Sequence, residues 1–245
     1  MSAAPRPPAS PPGSPPPPPP ARPSSRPSLT ERRKAETERE IARHAAELFS
    51  EHGAAGVTAE GIAQAAGVSL RTFYRYFRTK EEAVTPLLTG GVRQWLADLA
   101  AAPGHLSVQA ALERTVRAAL TPGGPHAAAR AEALLGTRGL LRTAPGDPAL
   151  RSVWLRVHAE TEEALVPVLT RLAREGTDPL DLRLMAAAAN AAMRIAMETW
   201  ATDEVPPDDP ERGPAALAVR CLRGLTAGLR TPRAQGDPAA RPPKL

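Results

Sequence analysis

The segment Ser69-Leu-Arg-Thr-Phe-Tyr-Arg-Tyr-Phe-Arg-Thr-Lys80 gathers Arg71, Arg75, Arg78, Lys80 and both tyrosines of the chain, with no acid before Glu81. Those residue types suit a polyanion. Duplex DNA carries a phosphate charge every ~1.7 Å, so an acid on a docking face would be repelled. An arginine can donate twice to guanine O6 and N7, a pairing that contributes about 1–3 kcal/mol of base discrimination. A tyrosine offers its ring to sugars and thymine methyls and its hydroxyl to a phosphate. By itself such a run reads equally well as the solvated face of an amphipathic helix. Its setting decides between the two.

The setting is two short helices joined by a tight turn. Thr58 caps the first, which turns Ile62, Ala65 and Ala66 inward, Gly67 makes the turn, and Ser69 caps a second helix running to about Phe77. Phe73 and Phe77 stand at i, i+4 and should pack on Ile41, Phe49 and Ile62. Leu70, Arg71, Thr72, Tyr74, Arg75 and Tyr76 are then left on or near the outer face. The free N–H groups at the start of this second helix add partial positive charge, and its first residues are those a docked recognition helix presents to base edges. Ahead of the pair, Ile41, Ala45, Leu48 and Phe49 form one stripe of a helix that begins near Leu29 and stops at Gly53.

Residues 31–84 closely resemble the DNA-binding domain of the TetR/AcrR family of repressors. The resemblance is carried by Thr37–Arg39, Ile41-Ala-Arg-His-Ala-Ala-Glu-Leu-Phe-Ser-Glu-His-Gly53, Val57-Thr58, Ile62-Ala63, Ala66-Gly-Val-Ser69 and Thr72-Phe-Tyr-Arg-Tyr-Phe-Arg-Thr-Lys-Glu81. It implies a nine-helix chain forming a homodimer through its last two helices. Thr58, Arg71, Thr72, Tyr74, Tyr76 and Lys80 match family DNA-contact positions. Thr72, Tyr74, Tyr76 and Lys80 would mainly hold phosphates, and Leu70, Arg71 and Arg75 would read bases. The lead-in Glu31-Arg-Arg-Lys34 and the segment Trp154–Glu163 resemble the subgroup of regulators with acyl-CoA-like ligands, mycofactocin-type regulators among them. Gly61, Pro86 and Gly90-Gly91 depart from the family pattern, the last two within the helix that links pocket to DNA-binding domain.

The rest of the chain reads as helices. Of the 245 residues 42% are hydrophobic and only 3% aromatic, and alanine is abundant, so the expectation is an all-α protein. It would comprise a three-helix DNA-binding domain over 29–79 and an effector-binding and dimerisation bundle over 80–230. Residues 1–28, with the run Pro15–Pro20, are expected to be a disordered polyproline-rich arm, and 231–245 a second disordered tail. Thr79-Lys-Glu-Glu82 is a capping box expected to open a fourth helix, bent at Pro86 and Gly90-Gly91. Further helices are expected over Ser107–Leu120 and Ala127–Leu141, and from Asp147-Pro148 to Gly176, kinked at Pro167. The last two should cover Asp178-Pro179 to Trp200 and Pro214–Leu229. The helix after Asp178 carries two apolar stripes. Leu180, Leu184, Ala188, Ala191 and Ile195 form one, and Met185, Ala189, Ala192, Met193, Ala196 and Trp200 the other. Such a helix must be covered on two sides, by the bundle interior and by a second subunit.

An effector pocket in this half is expected to draw on Trp95, Trp154, His158, Asn190, Met193, Arg194 and Met197. The plainer alternative for the tryptophans and methionines is ordinary core. A buried Asn190 amid alanines would need hydrogen-bond partners. The single cysteine, Cys221, excludes an intrachain disulfide and a cysteine metal site and reads as a small buried hydrophobe. The net charge of +5 lies largely in the two terminal stretches, so it adds little to the case for DNA. No run is long enough for a membrane helix and no secretory signal is present, which points to the cytoplasm and its nucleoid. No metal, cofactor or catalytic residue is expected, because no His-Glu-x-x-His, Gly-x-Ser-x-Gly or phosphate-cradling glycine loop occurs. The reading is a DNA-binding repressor released by an acyl-CoA-like or lipophilic effector. The alternative is an architectural protein or an activator without an effector.

Overall fold

The first helix, α1 (Leu29–His52), opens on a complete capping box. Ser28 Oγ accepts from Glu31 N at 3.2 Å, and the Glu31 carboxylate accepts from Ser28 N at 2.6 Å. Ser28 is thus the N-cap of α1. The computed structural model describes residues 28–124 and 127–229. The proline-rich arm and the C-terminal tail lie outside the described residues. Among the described residues nine α-helices succeed one another, and every regular element is helical. No helix there is long and apolar enough to cross a membrane.

Gly53, at φ 69°, ends α1. A 3₁₀ turn (Ala54–Gly56) leads to α2 (Ala59–Ala65), capped by Thr58. Gly67, at φ 65°, turns the chain into α3 (Leu70–Tyr76), capped by Ser69. Ile41, Ala45, Phe49, Ile62 and Phe73 reach zero exposure, and Phe77 is buried beside them at the helix end. The three helices thus close on the apolar set anticipated from spacing. Of the predicted inward pair Ala65–Ala66 on α2, however, Ala65 is exposed and Ala66 half-buried, and Ile62 and Ala63 are the buried positions.

The fourth helix departs from expectation. Thr79 Oγ1 does accept from Glu82 N, but the next element is a 3₁₀ turn (Glu81–Val84) that buries Ala83 and Val84. The Glu82 carboxylate caps Arg78 N, not the Thr79 N–H that a capping box requires. The α-helix proper, α4 (Thr85–Ala100), begins later, so Pro86 falls in its first turn, where a missing N–H disrupts nothing. Pro86 is therefore a helix-starting residue and not a bend. Gly90 and Gly91 lie in the interior of α4 with open space where a Cβ would be.

The bundle continues with α5 (Val108–Leu120), α6 (Ala127–Thr143), a 3₁₀ turn (Ala144–Gly146), α7 (Pro148–Leu172), α8 (Pro179–Thr202) and α9 (Pro214–Thr226). Asp147 and Asp178 cap α7 and α8 ahead of their N-terminal prolines, and Pro167 lies inside α7. On α8 the two stripes separate. Met185, Ala189, Ala192, Ala196 and Trp200 are fully buried, while Leu180 is 60%, Leu184 42% and Ile195 37% exposed.

Helix α6 braces the N-terminal helices against the bundle. A Cβ on Gly139 would fall inside the Ser50 side chain of α1, 2.9 Å from its Cβ. Thr143 Oγ1 donates to Phe49 O at 3.2 Å beside it. Gly139→Ala must force α1 away from α6, an overpacking expected to cost about 1–3 kcal/mol in urea unfolding. Gly90→Ala, with open space, is expected to be neutral or to stabilise by up to about 1 kcal/mol. Equal effects of the two would refute the close approach.

Candidate nucleic-acid interface and effector cavity

Helix α3 offers its outer face to solvent. Leu70 is 39% and Tyr74 55% exposed, Arg71 and Arg75 are exposed, and Thr72 and Tyr76 are half-buried. The side chains are ordered by one another. Phe73 packs edge-on against Tyr74 at 5.4 Å between centroids. The Arg75 guanidinium lies 5.0 Å from the Tyr76 ring centroid and donates to its hydroxyl at 3.3 Å. Ser69 Oγ caps α3, accepting from Thr72 N and donating to Thr72 Oγ1. Thr58 does the same for α2, accepting from Gly61 N at 3.0 Å.

Lys80 has a different environment from the one expected of a phosphate ligand. Its Nζ donates to Ala54 O at 2.6 Å and Val57 O at 2.8 Å, tying the turn after α1 to the end of α3, with Glu81 Oε1 at 3.8 Å. An ammonium has three donors, so one is left for a phosphate. Holding the two carbonyls is its first task.

The second feature is a cavity of about 140 Å³, partly open to solvent and lined by α4, α5, α6, α7 and α8. Of the residues named from the sequence, Trp95, Trp154, His158, Met193 and Met197 line it. Asn190 and Arg194 do not. Asn190 is buried behind His158, and Arg194 turns to Glu198 at 3.0 Å. Asn190 lies on the same face of α8 as Met197 but two turns nearer the helix start, where His158 and Glu162 hold it. Sequence reasoning missed Leu87, Leu88, Gly91 and Val92 of α4 and Leu134 and Thr137 of α6. The α4 stripe is visible in the sequence, but spacing alone does not tell a cavity wall from plain core. Gly91 sits where a side chain would occupy the cavity edge.

Around His158 the hydrogen bonds form a directed chain. Asn190 Nδ2 donates to Glu162 Oε2 at 3.2 Å, which turns Asn190 Oδ1 toward His158 Nδ1 at 2.8 Å. An amide oxygen only accepts, so Nδ1 carries the proton. Trp154 stacks edge-on against the imidazole at 4.2 Å and donates its N–H to Glu198 at 2.9 Å. His158 Nε2 is buried without a partner.

The match to the family model described as bacterial regulatory proteins, tetR family, covers residues 41–84, which span the end of α1 through the turn before α4. The HTH-type transcriptional regulator TcmR of Streptomyces glaucescens is 30% identical over 177 residues, 70% of this chain and 76% of that protein. The chain belongs to the TetR family. Solved TetR-family structures share its fold at low identity. One is a transcriptional regulator from Syntrophomonas wolfei, with TM-score 0.57 and 15% identity, covering 80% of this chain and 97% of that one. Another is NalD, the secondary repressor of the MexAB-OprM multidrug efflux pump in Pseudomonas aeruginosa, with TM-score 0.51 and 19% identity over 81% and 98%.

In this TetR-family chain burial holds His158 below its ordinary value of 6.5. The Asn190 hydrogen bond opposes that shift, the nearby Arg194 charge reinforces it, and Glu198 opposes it. The unfolded chain takes up a proton at His158 as pH falls below about 6.5, and the folded chain resists it. Stability from this group is therefore complete above the unfolded value and lost as pH falls toward the depressed folded one. Urea midpoints measured between about pH 8 and 5 should decline on the acid side, and His158→Gln should reduce that decline. An identical decline in both proteins would remove His158 as its source.

Proposed function

We propose that the chain is a homodimeric repressor that docks α3 in the major groove of a pseudo-palindromic operator and leaves it when a lipophilic small molecule fills the cavity. The observation that carries the reading is the exposed, acid-free outer face of α3 backed by the buried Phe73 and Phe77. Helices α1–α3 form the DNA-binding unit over 29–79, and the remainder to 230 holds effector and partner. Leu70, Arg71 and Arg75 read bases. Thr58, Ser69, Thr72, Tyr74 and Tyr76 meet the backbone, and Lys80 adds its remaining N–H. The exposed stripe Leu180, Leu184 and Ile195 on α8, with Leu225 on α9 at 44%, supports a dimer through the last two helices. The small, mostly apolar cavity favours a lipophilic effector over an acyl-CoA-like one, whose phosphates would ask for a cluster of cations. Such a regulator works in the cytoplasm on the nucleoid.

Coupling between cavity and DNA has a physical route. Helix α7 carries Trp154 and His158 into the cavity wall, and between them Arg156 reaches Glu82 at 3.5 Å. Glu82 in turn caps Arg78 N just beyond α3. A ligand that prefers a displaced α7 then shifts the population away from the DNA-competent spacing of about 34–36 Å between recognition helices. Arg156→Ala is expected to leave ligand affinity unchanged and to weaken ligand–operator coupling by about 0.5–2 kcal/mol. Undiminished coupling would exclude this route. The function itself is tested by genomic footprinting of the purified protein followed by ligand screening for release. Protection of a two-fold symmetric site, relieved by a small molecule, is the expected result. Binding that no ligand alters would favour the architectural or activator reading.

A further inference from the structure

We propose that Arg142, steadied by Arg138, is a positioning residue that fixes how far apart the two DNA-binding heads stand, and so which half-site spacing the operator must have. This deepens the proposed function and rests on dimerisation through α8 and α9.

The last carbonyls of a helix have no partner within it, and those of α8 are met by Arg142 of α6. Its Nε donates to Ala201 O at 2.7 Å, and its Nη2 donates to Asp203 O at 2.9 Å and to the Glu204 carboxylate at 2.6 Å. One turn earlier Arg138 is buried over the Trp200 ring, with 4.6 Å between guanidinium carbon and ring centroid. Its Nη1 donates to Val205 O at 3.1 Å, the same oxygen that accepts from Trp200 Nε1 at 2.8 Å. Arg212, just ahead of α9, holds the Asp203 carboxylate at 2.9 Å. Two guanidinium groups of α6 thus grip the junction between the two helices assigned to the dimer contact. Glu204 is 86% exposed and contributes little, so the carbonyls are what fix the grip. A planar fork meeting carbonyls in set directions holds a position, which a point charge on a flexible stem does not.

The adjacent face of the same turns holds the DNA-binding head. Residues 139 and 143 stand about 100° round the helix from 138 and 142. Gly139 admits Ser50 of α1 so closely that a Cβ would fall inside that side chain, and Thr143 Oγ1 donates to Phe49 O at 3.2 Å. Phe49 has zero exposure, as have Ile62 of α2 and Phe73 of α3. Cores packed to this density pass a displacement on, so a shift of α6 reaches α3. The end of α8, Arg142, Thr143 and α1 are therefore linked in series through the last turns of one helix. The Arg156–Glu82 pair also ties the head to the bundle, but it does so from α7 and makes no bond to α8. With the partner seated on α8, the position of α3 relative to the dimer axis depends on the Arg142 grip.

The test measures binding of the full-length protein to duplexes built from the footprinted operator: the natural spacing, the spacing lengthened by two base pairs, and a single half-site. Two base pairs turn one half-site by roughly 70° about the duplex axis, which a firmly held dimer does not follow. Arg142→Ala is expected to leave half-site affinity unchanged and to lower affinity for the natural spacing by about 2- to 30-fold. Its preference over the lengthened duplex should narrow by a similar factor. Thr143→Val, on the α1 side of the clamp, should give the same signature, and it serves alone should Arg142→Ala fail to fold. Phe49 O keeps its bond from Gly53 N in that variant. The double variant should be no worse than the worse single one, because the two contacts act in series. Equal losses on half-site and operator, dissociation of a variant to monomer in sedimentation, or an unaltered spacing preference would each overturn the proposal. Wild-type protein that binds neither spacing better than one half-site refutes dimeric docking itself, and this inference with it. A wild-type preference that both variants retain removes the clamp alone.

Discussion

Replacing Arg71 and Arg75 together by alanine is expected to lower operator affinity by about 10²–10⁴-fold while leaving the unfolding midpoint unchanged. Both side chains are exposed on α3 and contribute little to the core. A bidentate arginine–guanine pair contributes about 1–3 kcal/mol, and a symmetric dimer makes it twice, which sets the scale of the loss. Arg75 also supports Tyr76 through its ring contact and hydrogen bond, so its removal loosens a backbone contact as well. The two roles separate with salt. A lost phosphate contact reduces the slope of log K against log salt by about 0.9, whereas a lost base contact leaves it. Arg71→Ala alone should therefore compress the difference between operator and random DNA. Equal losses on both would deny Arg71 a base. Lys80 is kept intact in this experiment, because its ammonium holds the carbonyls of Ala54 and Val57 and its loss would confound folding with binding.

A charge placed on the outer stripe of α8 should have an effect of similar size by a different mechanism. Leu184→Glu with Ile195→Arg changes two side chains that the single chain leaves 42% and 37% exposed. The isolated fold thus has no reason to resist them. In a dimer, the partner would bury both charges against apolar surface, at a cost of several kcal/mol. Sedimentation should show monomer at micromolar protein. Operator affinity should fall by about 10²–10⁴-fold, because each half-site then binds without the effective concentration supplied by the other. The salt dependence per monomer should be retained, since α3 is untouched. A variant that remains dimeric would place the subunit contact elsewhere than this stripe.

Much of the molecule is legible in its sequence because the determinants are local. Ser69, Asp147 and Asp178 announce helix starts through bonds to N–H groups two or three residues away. Gly53 and Gly67 announce turns through positive φ. The i, i+4 pair of Phe73 and Phe77 predicts which face of α3 turns inward, and so which residues remain outside. Of the two stripes on α8, the one through Met185, Ala189, Ala192, Ala196 and Trp200 is the one the bundle buries. Pro86 defeats such reasoning because the start of α4 depends on a 3₁₀ turn that exists to bury Ala83 and Val84, a demand made by other helices.

By itself the sequence determined most of the helices and the face of α3 that stays outside, since both are written in short-range periodicity and capping chemistry, and the motifs within residues 31–84 carried the family resemblance. Only the tertiary structure decided what Lys80, Asn190, Arg194 and Gly139 do. The Lys80 carbonyl partners are 26 and 23 residues distant, and Gly139 matters because Ser50 of another helix crosses it. Asn190 and His158 meet across 32 residues, and their meeting determines which imidazole nitrogen carries the proton. Helix spacing states that a side chain points inward. Which partner it meets there depends on how the helices pack around one another, and that is a property of the whole chain.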